Sequence, residues 1–280
     1  MQIVNTVTEL RKAVNEWRLA GERIAFVPTM GNLHNGHLKL VTEARRIADR
    51  VVVSIFVNPT QFGPGEDFAS YPRTESADQA KLASAQADLL FMPSVQEMYP
   101  GNSKTVVSVA DLSEIHCGAA RPGHFNGVTT VVCKLFNMVQ PDVAVFGLKD
   151  FQQFTIIKTM VRDLNLPVEM LGIDTVREES GLAMSSRNGY LSEQEKTCAA
   201  VLYKSLCSAK DSVLTGIDDY SNIEQKAKDF LKQAGLQPEY FSICRRSDLL
   251  KAEAIDQDLV ILTAAKMGKT RLIDNVYFSK

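Results

Sequence analysis

Pro28-Thr29-Met30-Gly31-Asn32-Leu33-His34-Asn35-Gly36-His37 is the stretch on which the reading of this chain turns. The apolar run Ile24-Ala25-Phe26-Val27 enters it as a buried strand, and a helical pattern over residues 38–49 leaves it. Two histidines three residues apart thus flank a glycine at the mouth of a helix. Helix starts carry unpaired backbone N–H groups and the positive end of the dipole, which suits phosphate. Imidazoles add donors that follow charge as it develops on phosphate oxygens. A zinc pair is the alternative, but His116, Cys117 and His124 lie far downstream and no carboxylate–histidine spacing accompanies them.

Outward from this turn, residues 8–18 place Leu10, Val14 and Trp17 at helical spacing, and the helix over 38–49 turns Leu38, Val41 and Ile47 inward. Val51-Val52-Val53-Ser54-Ile55-Phe56-Val57 reads as a strand buried on both faces, ending at Asn58-Pro59. Residues 61–67 form a loop, and Ser76-Ala77-Asp78-Gln79 matches a capping box that opens a helix through about Ala85. Strands over 89–92 and 105–109 are separated by irregular chain over 93–102. A helix within 123–140 turns Val128, Val131, Val132 and Leu135 inward; a strand over 142–146, a helix to about Asn165 and a strand over 168–176 follow. This alternation argues a parallel sheet with helices on both faces, whose ligands sit at the carboxyl ends of the strands. The turns after Val27, Val57, Phe146 and Val176 then open onto one edge.

Beyond Asn188 the pattern changes. Capping boxes at Ser192-Glu193-Gln194-Glu195 and Ser221-Asn222-Ile223-Glu224 announce two helices, and strand-like segments follow over 240–244, 259–264 and 271–278. Helices followed by strands suggest a smaller α+β domain, dividing the chain into 1–179 and 180–280. The length of 280 residues accommodates two unequal domains. A net charge of −2 without a basic block argues against a nucleic-acid partner. Five cysteines without metal-ligand spacing fit free thiols in a reducing compartment. With no secretory pattern at the N-terminus and no membrane-length apolar run, a cytoplasmic protein with no membrane partner is expected.

No Gly-x-Gly-x-x-Gly follows a strand, so dinucleotide binding is a poor fit, and Gly268-Lys269-Thr270 reads as a hairpin turn. Lys149-Asp150 and Gln152-Gln153 begin a helix after a buried strand. Lys149 suits phosphate, Asp150 a metal or a sugar hydroxyl, and Gln153 falls one turn after Lys149. The same residues also suit helix capping and a solvated lysine. Met184-Ser185-Ser186-Arg187-Asn188 supplies two hydroxyls and a guanidinium, either a clamp for triphosphate oxygens or a domain-linking turn. Asn58 and Gln61 offer uncharged amides for hydroxyls and a carboxylate, or ordinary turn chemistry.

Together these segments resemble the pantoate–β-alanine ligases, within the nucleotidylyl transferases that carry His-x-Gly-His. The match runs through residues 28–37, 56–62, Tyr71-Pro72-Arg73, Arg121-Pro122-Gly123-His124-Phe125, residues 149–153 and residues 181–188, in family order. The resemblance implies a Rossmann-like fold, ATP, (R)-pantoate and β-alanine as substrates, a pantoyl adenylate intermediate, Mg2+ and a homodimer. Carried onto matching positions, Met30, Gly31, Asn32, Leu33, His34, Asn35, Gly36 and His37 line the ATP site, with His37 as proton donor. Gly147, Leu148, Lys149, Asp150, Val176, Met184, Ser185, Ser186 and Arg187 complete it. Gln61 and Gln153 hold pantoate, and Gln61 also meets β-alanine. Thr60 and Leu148 depart from the usual family residues, so an ATP contact at Leu148 is expected through backbone. Gly63-Pro64-Gly65 beside Gln61 suggests a movable cover over the adenylate. The rival readings are a nucleotidylyl transferase for another acceptor and a non-catalytic nucleotide-binding module.

Overall fold

Strands β1 (Gln2–Val4), β2 (Ile24–Thr29), β3 (Arg50–Ile55), β4 (Leu89–Phe91), β5 (Val143–Gly147) and β6 (Glu169–Ile173) form one parallel sheet in the order β1-β4-β3-β2-β5-β6. The structure is a computed structural model describing residues 1–101 and 103–280. Asn102, the last residue of the stretch read as irregular, lies outside the described residues. The chain divides into two compact units, Met1–Leu148 with Ile156–Asp174, and Lys149–Thr155 with Thr175–Lys280.

In the first unit the helices are α1 (Val7–Leu19), α2 (Asn35–Ile47), α3 (Glu75–Ser84), α4 (Val95–Met98), α5 (Cys117–Ala120), α6 (His124–Val139) and the later part of α7 (Phe151–Asp163). Ile24, Ala25, Phe26 and Val27 are all fully buried, as are Val51, Val52 and Val53, which is why these strands read as unbroken apolar runs. Their side chains alternate. Ala25, Val27, Val51, Val53, Val143 and Val145 share a core with Leu40, Val41 and Ala44 of α2. Phe26 meets Phe136 of α6 edge-on at a centroid distance of 6.3 Å. The inward face of α2 is therefore Leu40-Val41-Ala44, and Leu38 and Ile47 are only half-buried.

The sheet reverses its direction of growth between β2 and β5: the chain builds outward through β3 and β4, then returns to the other side of β2 for β5 and β6. Such a switch point leaves a crevice at the carboxyl ends of the two central strands. Residues 30–37 leave β2 there, and Leu148 follows β5.

Three local expectations are corrected. Residues 105–109 form no strand: the Val107 N–H and C=O are taken by the Thr130 and Thr129 hydroxyls of α6 at 3.0 and 2.6 Å. Ser76 is not the cap: α3 starts at Glu75 after Thr74, and Gln79, the fourth residue of the expected box, donates to the Met92 Sδ at 3.7 Å. The stretch over 93–102 contains the short α4.

The second unit holds α8 (Glu193–Ala199), α9 (Val201–Leu214) and α10 (Tyr220–Gln233), then an antiparallel sheet of β7 (Gln237–Arg245), β8 (Asp258–Met267) and β9 (Thr270–Ser279) in the order β7-β8-β9. Its core joins Leu202, Leu206, Ile223 and Leu231 of the helices to Phe241, Ile243, Leu259 and Ile261 of the sheet. Ser192 and Glu195 form the expected capping box. Ser221 does not, since Asp219 caps α10 from two residues earlier and Glu224 instead accepts from the Ile243 N–H at 2.8 Å. The helix α9 had no start signal because it continues from α8 through Ala200 in helical conformation. Gly268 and Lys269 make the two-residue hairpin between β8 and β9, with Gly268 at a φ of 56°.

All five cysteines are free thiols. Among the described residues no helix is long and apolar enough to cross a membrane.

Phe26→Ala should cost about 3–5 kcal/mol of unfolding free energy, because the ring is fully buried at the sheet–α6 contact. Urea unfolding followed by circular dichroism measures it.

Candidate active site

His34 is the N-cap of α2 and His37 its third helical residue. The His34 Nδ1 accepts from the Gly36 N–H at 3.1 Å, and the His37 Nδ1 accepts from the His34 N–H at 3.3 Å. This is a capping box built from two imidazoles, and it explains the spacing of the motif. It also sets the tautomer. A ring whose Nδ1 accepts carries its proton on Nε2, so both neutral rings are Nε2–H donors. The rings are tilted against each other at 4.1 Å between centroids.

The box changes the part played by the helix amides. Gly36 N–H is used by His34, and the His37 and Leu38 N–H groups bond the His34 carbonyl at 2.9 and 3.2 Å. Three of the amides at the helix start are therefore used within the turn itself, and the imidazoles add donors beside them.

Asp78, not assigned any site role from the sequence, holds the turn from below. Its carboxylate is 1% exposed and accepts from the Asn32 and Leu33 N–H groups, both at 2.8 Å, and from the Thr74 hydroxyl at 3.1 Å. Lys81 donates to the Leu33 carbonyl at 2.6 Å. Gly31 has a φ of 86°, and a Cβ there would lie 3.1 Å from Ile55 Cγ2 and 3.3 Å from the Asp78 carboxylate. Glycine meets both the backbone and the packing requirement. Beside the turn is a cavity of about 220 Å³ lined by residues that include Met30, Gly31, Phe56, Arg73, Asp78 and Met92.

Gln61 ends the 3₁₀ turn Pro59–Gln61 and is buried. Its Nε2 donates to the Met30 Sδ at 3.0 Å and its Oε1 accepts from Asn58 Nδ2 at 3.2 Å. Asn58, 1% exposed, also donates to the Gly127 carbonyl and accepts from Tyr99 Oη at 2.8 Å. A Cβ on Gly127 would overlap the Thr60 carbonyl, so α6 approaches the turn this closely only through glycine.

The Gln61 carbonyl accepts from Arg121 Nη2 at 3.2 Å and from His124 Nδ1 at 2.8 Å. Because a carbonyl only accepts, His124 carries a proton on Nδ1, the opposite choice from His34 and His37. Arg121 also forks onto Glu66, with Nε to Oε1 at 2.7 Å and Nη2 to Oε2 at 2.5 Å. Burial pushes the Glu66 carboxyl up, but the Arg121 hydrogen bonds and charge more than reverse this and hold it below the ordinary value. Arg121 and His124 stood in a recognisable sequence motif, but their grip on the Gln61 backbone had no sequence signal.

In the second unit, Lys149 lies at the entry to α7 with Asp150 3.8 Å from its ammonium, and Gln153 is half-buried in the first turn of that helix. Val176 and Met184 are joined by a Met184 N–H to Val176 carbonyl bond of 3.0 Å. Ser185 caps the 3₁₀ turn Ser186–Tyr190 by accepting from the Arg187 N–H at 3.2 Å. Asn188 anchors this loop, donating to Glu178 at 2.9 Å and to the Ala183 carbonyl at 3.1 Å. Gly147 and Leu148 belong to the first unit, and Leu148 is buried.

Among the described residues no group of three or more His, Cys, Asp or Glu side chains is placed to hold a metal ion. A magnesium carried mainly by phosphate oxygens needs only one or two protein carboxylates. Asp150 beside Lys149 fits that modest demand.

A histidine pair capping the helix at the switch point of a parallel sheet defines the class, an α/β protein whose ligand site lies at the carboxyl ends of its strands. Residues 2–277 match the family model described as pantoate-beta-alanine ligase. The pantothenate synthetase of Shewanella loihica is 55% identical, with 100% of both chains covered, and that of Pseudomonas fluorescens Pf0-1 is 55% identical with 100% of this chain and 98% of the relative covered. Among solved structures, pantothenate synthetase from Thermus thermophilus superposes with a TM-score of 0.93 at 45% identity, covering 99% of each chain. A pantoate-beta-alanine ligase from Francisella tularensis, complexed with beta-gamma ATP and beta-alanine, gives 0.83 at 34% identity, covering 99% of this chain and 97% of that one. The chain belongs to the pantoate–β-alanine ligase family. It is an ATP-dependent ligase that joins pantoate to β-alanine, forming pantothenate.

Two measurements follow from this geometry. Asp78→Asn turns one of two backbone acceptors into a donor facing an N–H, and should lower stability by about 1–3 kcal/mol in urea unfolding, with activity falling as the turn loosens. Glu66→Gln should reveal an acid-sensitive contribution. A depressed carboxylate stabilises fully above its ordinary pKa of about 4.3, and the contribution disappears as pH falls through the lower folded value. The stability gap between wild type and Glu66→Gln should therefore close on acidification, whereas a pH-independent gap would show no ionic contribution.

Proposed function

We propose that His34 and His37, with Lys149, Ser185, Ser186 and Arg187, handle the phosphates of ATP while the carboxylate of (R)-pantoate attacks its α-phosphorus. The observation that carries this reading is the imidazole capping box, which makes both rings fixed Nε2–H donors. The first half-reaction forms pantoyl adenylate and releases pyrophosphate. In the second, the amine of β-alanine attacks the acyl carbon of the mixed anhydride, and AMP leaves as pantothenate forms. The nucleophile in each step comes from a substrate, so the chain supplies alignment and charge stabilisation rather than an attacking side chain.

The residue roles follow from chemistry and placement. Met30, Gly31, Asn32, Leu33, Asn35 and Gly36 shape the nucleotide-binding turn. Gly147, Leu148, Asp150, Val176 and Met184 complete the nucleotide contacts, Leu148 through its backbone. Gln61 and Gln153 bind the hydroxyls and carboxylate of pantoate, and Gln61 also meets β-alanine. Mg2+ accompanies ATP, with Asp150 as the carboxylate able to support it; when bound, it neutralises charge on the phosphate oxygens. Residues 1–179 form the ATP- and pantoate-binding domain and 180–280 a smaller one. Gly63-Pro64-Gly65 covers the adenylate against water, and the enzyme works as a cytoplasmic homodimer.

The capping box bears on the role of His37. For His37 to deliver a proton as an imidazolium, its Nδ1 would also be protonated and the bond from the His34 N–H would break. The helix start opposes the same charge. His37 therefore acts as a hydrogen-bond donor to charge developing on phosphate.

Pyrophosphate release assayed with ATP and pantoate, with and without β-alanine, tests the reaction: pantoate-dependent release without β-alanine is expected for the adenylation step. His37→Gln, which donates but does not titrate in this range, should retain most of that step with an unchanged pH profile. A profile that loses one limb would restore the acid role.

A further inference from the structure

Two adjacent residues of β9 form a buried polar cluster that the reaction as described does not use. Asp274 and Asn275 are 3% and 4% exposed. Arg177 forks onto Asp274, Nη1 to Oδ2 at 2.7 Å and Nη2 to Oδ1 at 2.9 Å, and lies 3.6 Å over the ring of Tyr203. The same guanidinium donates to the Gly181 carbonyl at 3.1 Å and to the Asn275 carbonyl at 3.4 Å. Asp274 Oδ1 also accepts from the Asn275 N–H at 2.8 Å. Asn275 Nδ2 donates to the Lys149 carbonyl at 2.9 Å.

These bonds reach two backbone segments far apart in sequence. Residues 176–184 double back on themselves: Met184 N–H bonds the Val176 carbonyl, Glu178 N–H the Leu182 carbonyl at 2.9 Å, and Gly181 turns the corner at a φ of 91°. Arg177 spans that turn from inside while Asp274 holds Arg177. Asn275 fixes the main chain at Lys149 from the next position on the strand. A buried ion pair is retained at little net gain in stability unless its geometry does something further. Here the geometry sets two loops against one rigid strand, as preorganised sites require.

We infer that Asp274 and Asn275 are positioning residues for nucleotide binding, Asn275 by fixing Lys149 and Asp274 by fixing, through Arg177, the turn that leads into Ser185, Ser186 and Arg187. The inference rests on the reading of Lys149 and Ser185–Arg187 as ATP-handling groups. Asn275 acts through the Lys149 backbone and Asp274 through the Arg177 guanidinium, so both are positioning rather than catalytic residues.

The test is a double-mutant cycle on the adenylation step, using Asn275→Ala and Lys149→Ala, with KM measured separately for ATP and pantoate. Asn275→Ala should raise the KM for ATP about tenfold, equivalent to one misplaced charged contact, and change that for pantoate less than about twofold. In the Lys149→Ala background the same substitution should add almost nothing, because the group it positions is gone. Asn275→Ser, which shortens the side chain but is gentler on the buried site, gives the same cycle if the alanine variant folds poorly. Additive losses, or equal losses for ATP and pantoate, overturn the inference and leave a purely structural role. If Lys149→Ala alone leaves the KM for ATP unchanged, the ATP reading of Lys149 is what fails, and the inference falls with it.

Discussion

The Nδ1 bonds of His34 to the Gly36 amide and of His37 to the His34 amide, across the first turn of α2, are the constraint around which the turn after β2 is arranged. Each Nδ1 takes a backbone N–H, so the two rings are locked into one tautomer before any substrate arrives. That lock requires the turn to enter the helix at one angle. Gly31 at positive φ and the buried carboxylate of Asp78 under the Asn32 and Leu33 amides supply that angle. Both depend on β2 and β3 lying side by side, because Ile55 at the end of β3 closes the space over Gly31.

A common device recurs through the molecule. Polar side chains expected to meet substrate are steadied by bonds to main chain, and often to the carbonyl of the residue itself. Arg121 and His124 hold the Gln61 carbonyl, and Asn275 holds that of Lys149. The roots of Gln61 and Lys149 are thereby fixed. Charge-stabilising catalysis benefits from such fixing, since dipoles already in place need not reorganise as charge develops.

Several elements show what a linear reading can and cannot recover. Strands β2, β3, β4 and β5 were legible because they are buried on both faces and therefore continuously apolar, whereas the short edge strand β1, with Gln2 and Ile3 exposed, offered no such run. The box at Ser192 formed as read, whereas the similar patterns at Ser76 and Ser221 did not. In both failures the fourth residue of the pattern found another partner in space. Gln79 donates to the Met92 Sδ and Glu224 accepts from the Ile243 amide of β7. Residues 105–109 carry strand-like composition, but strand formation needs a neighbouring ladder, and the Val107 backbone is committed to threonine hydroxyls.

By itself the sequence determined the alternation of strands and helices, the family, and the turns that carry the chemistry-bearing residues. These are properties of local periodicity and of short motifs, and they survive without knowledge of what lies nearby. Only the tertiary structure decided that the two histidines take the Gly36 and His34 amides through Nδ1, that Asp78 and Gly31 hold their turn, and that Arg121, His124 and Asn275 hold backbone carbonyls. Each of these joins residues remote in sequence or turns on which atom of a ring faces a backbone amide. Hydrogen bonding depends on distance and direction, and neither is written in the order of the residues.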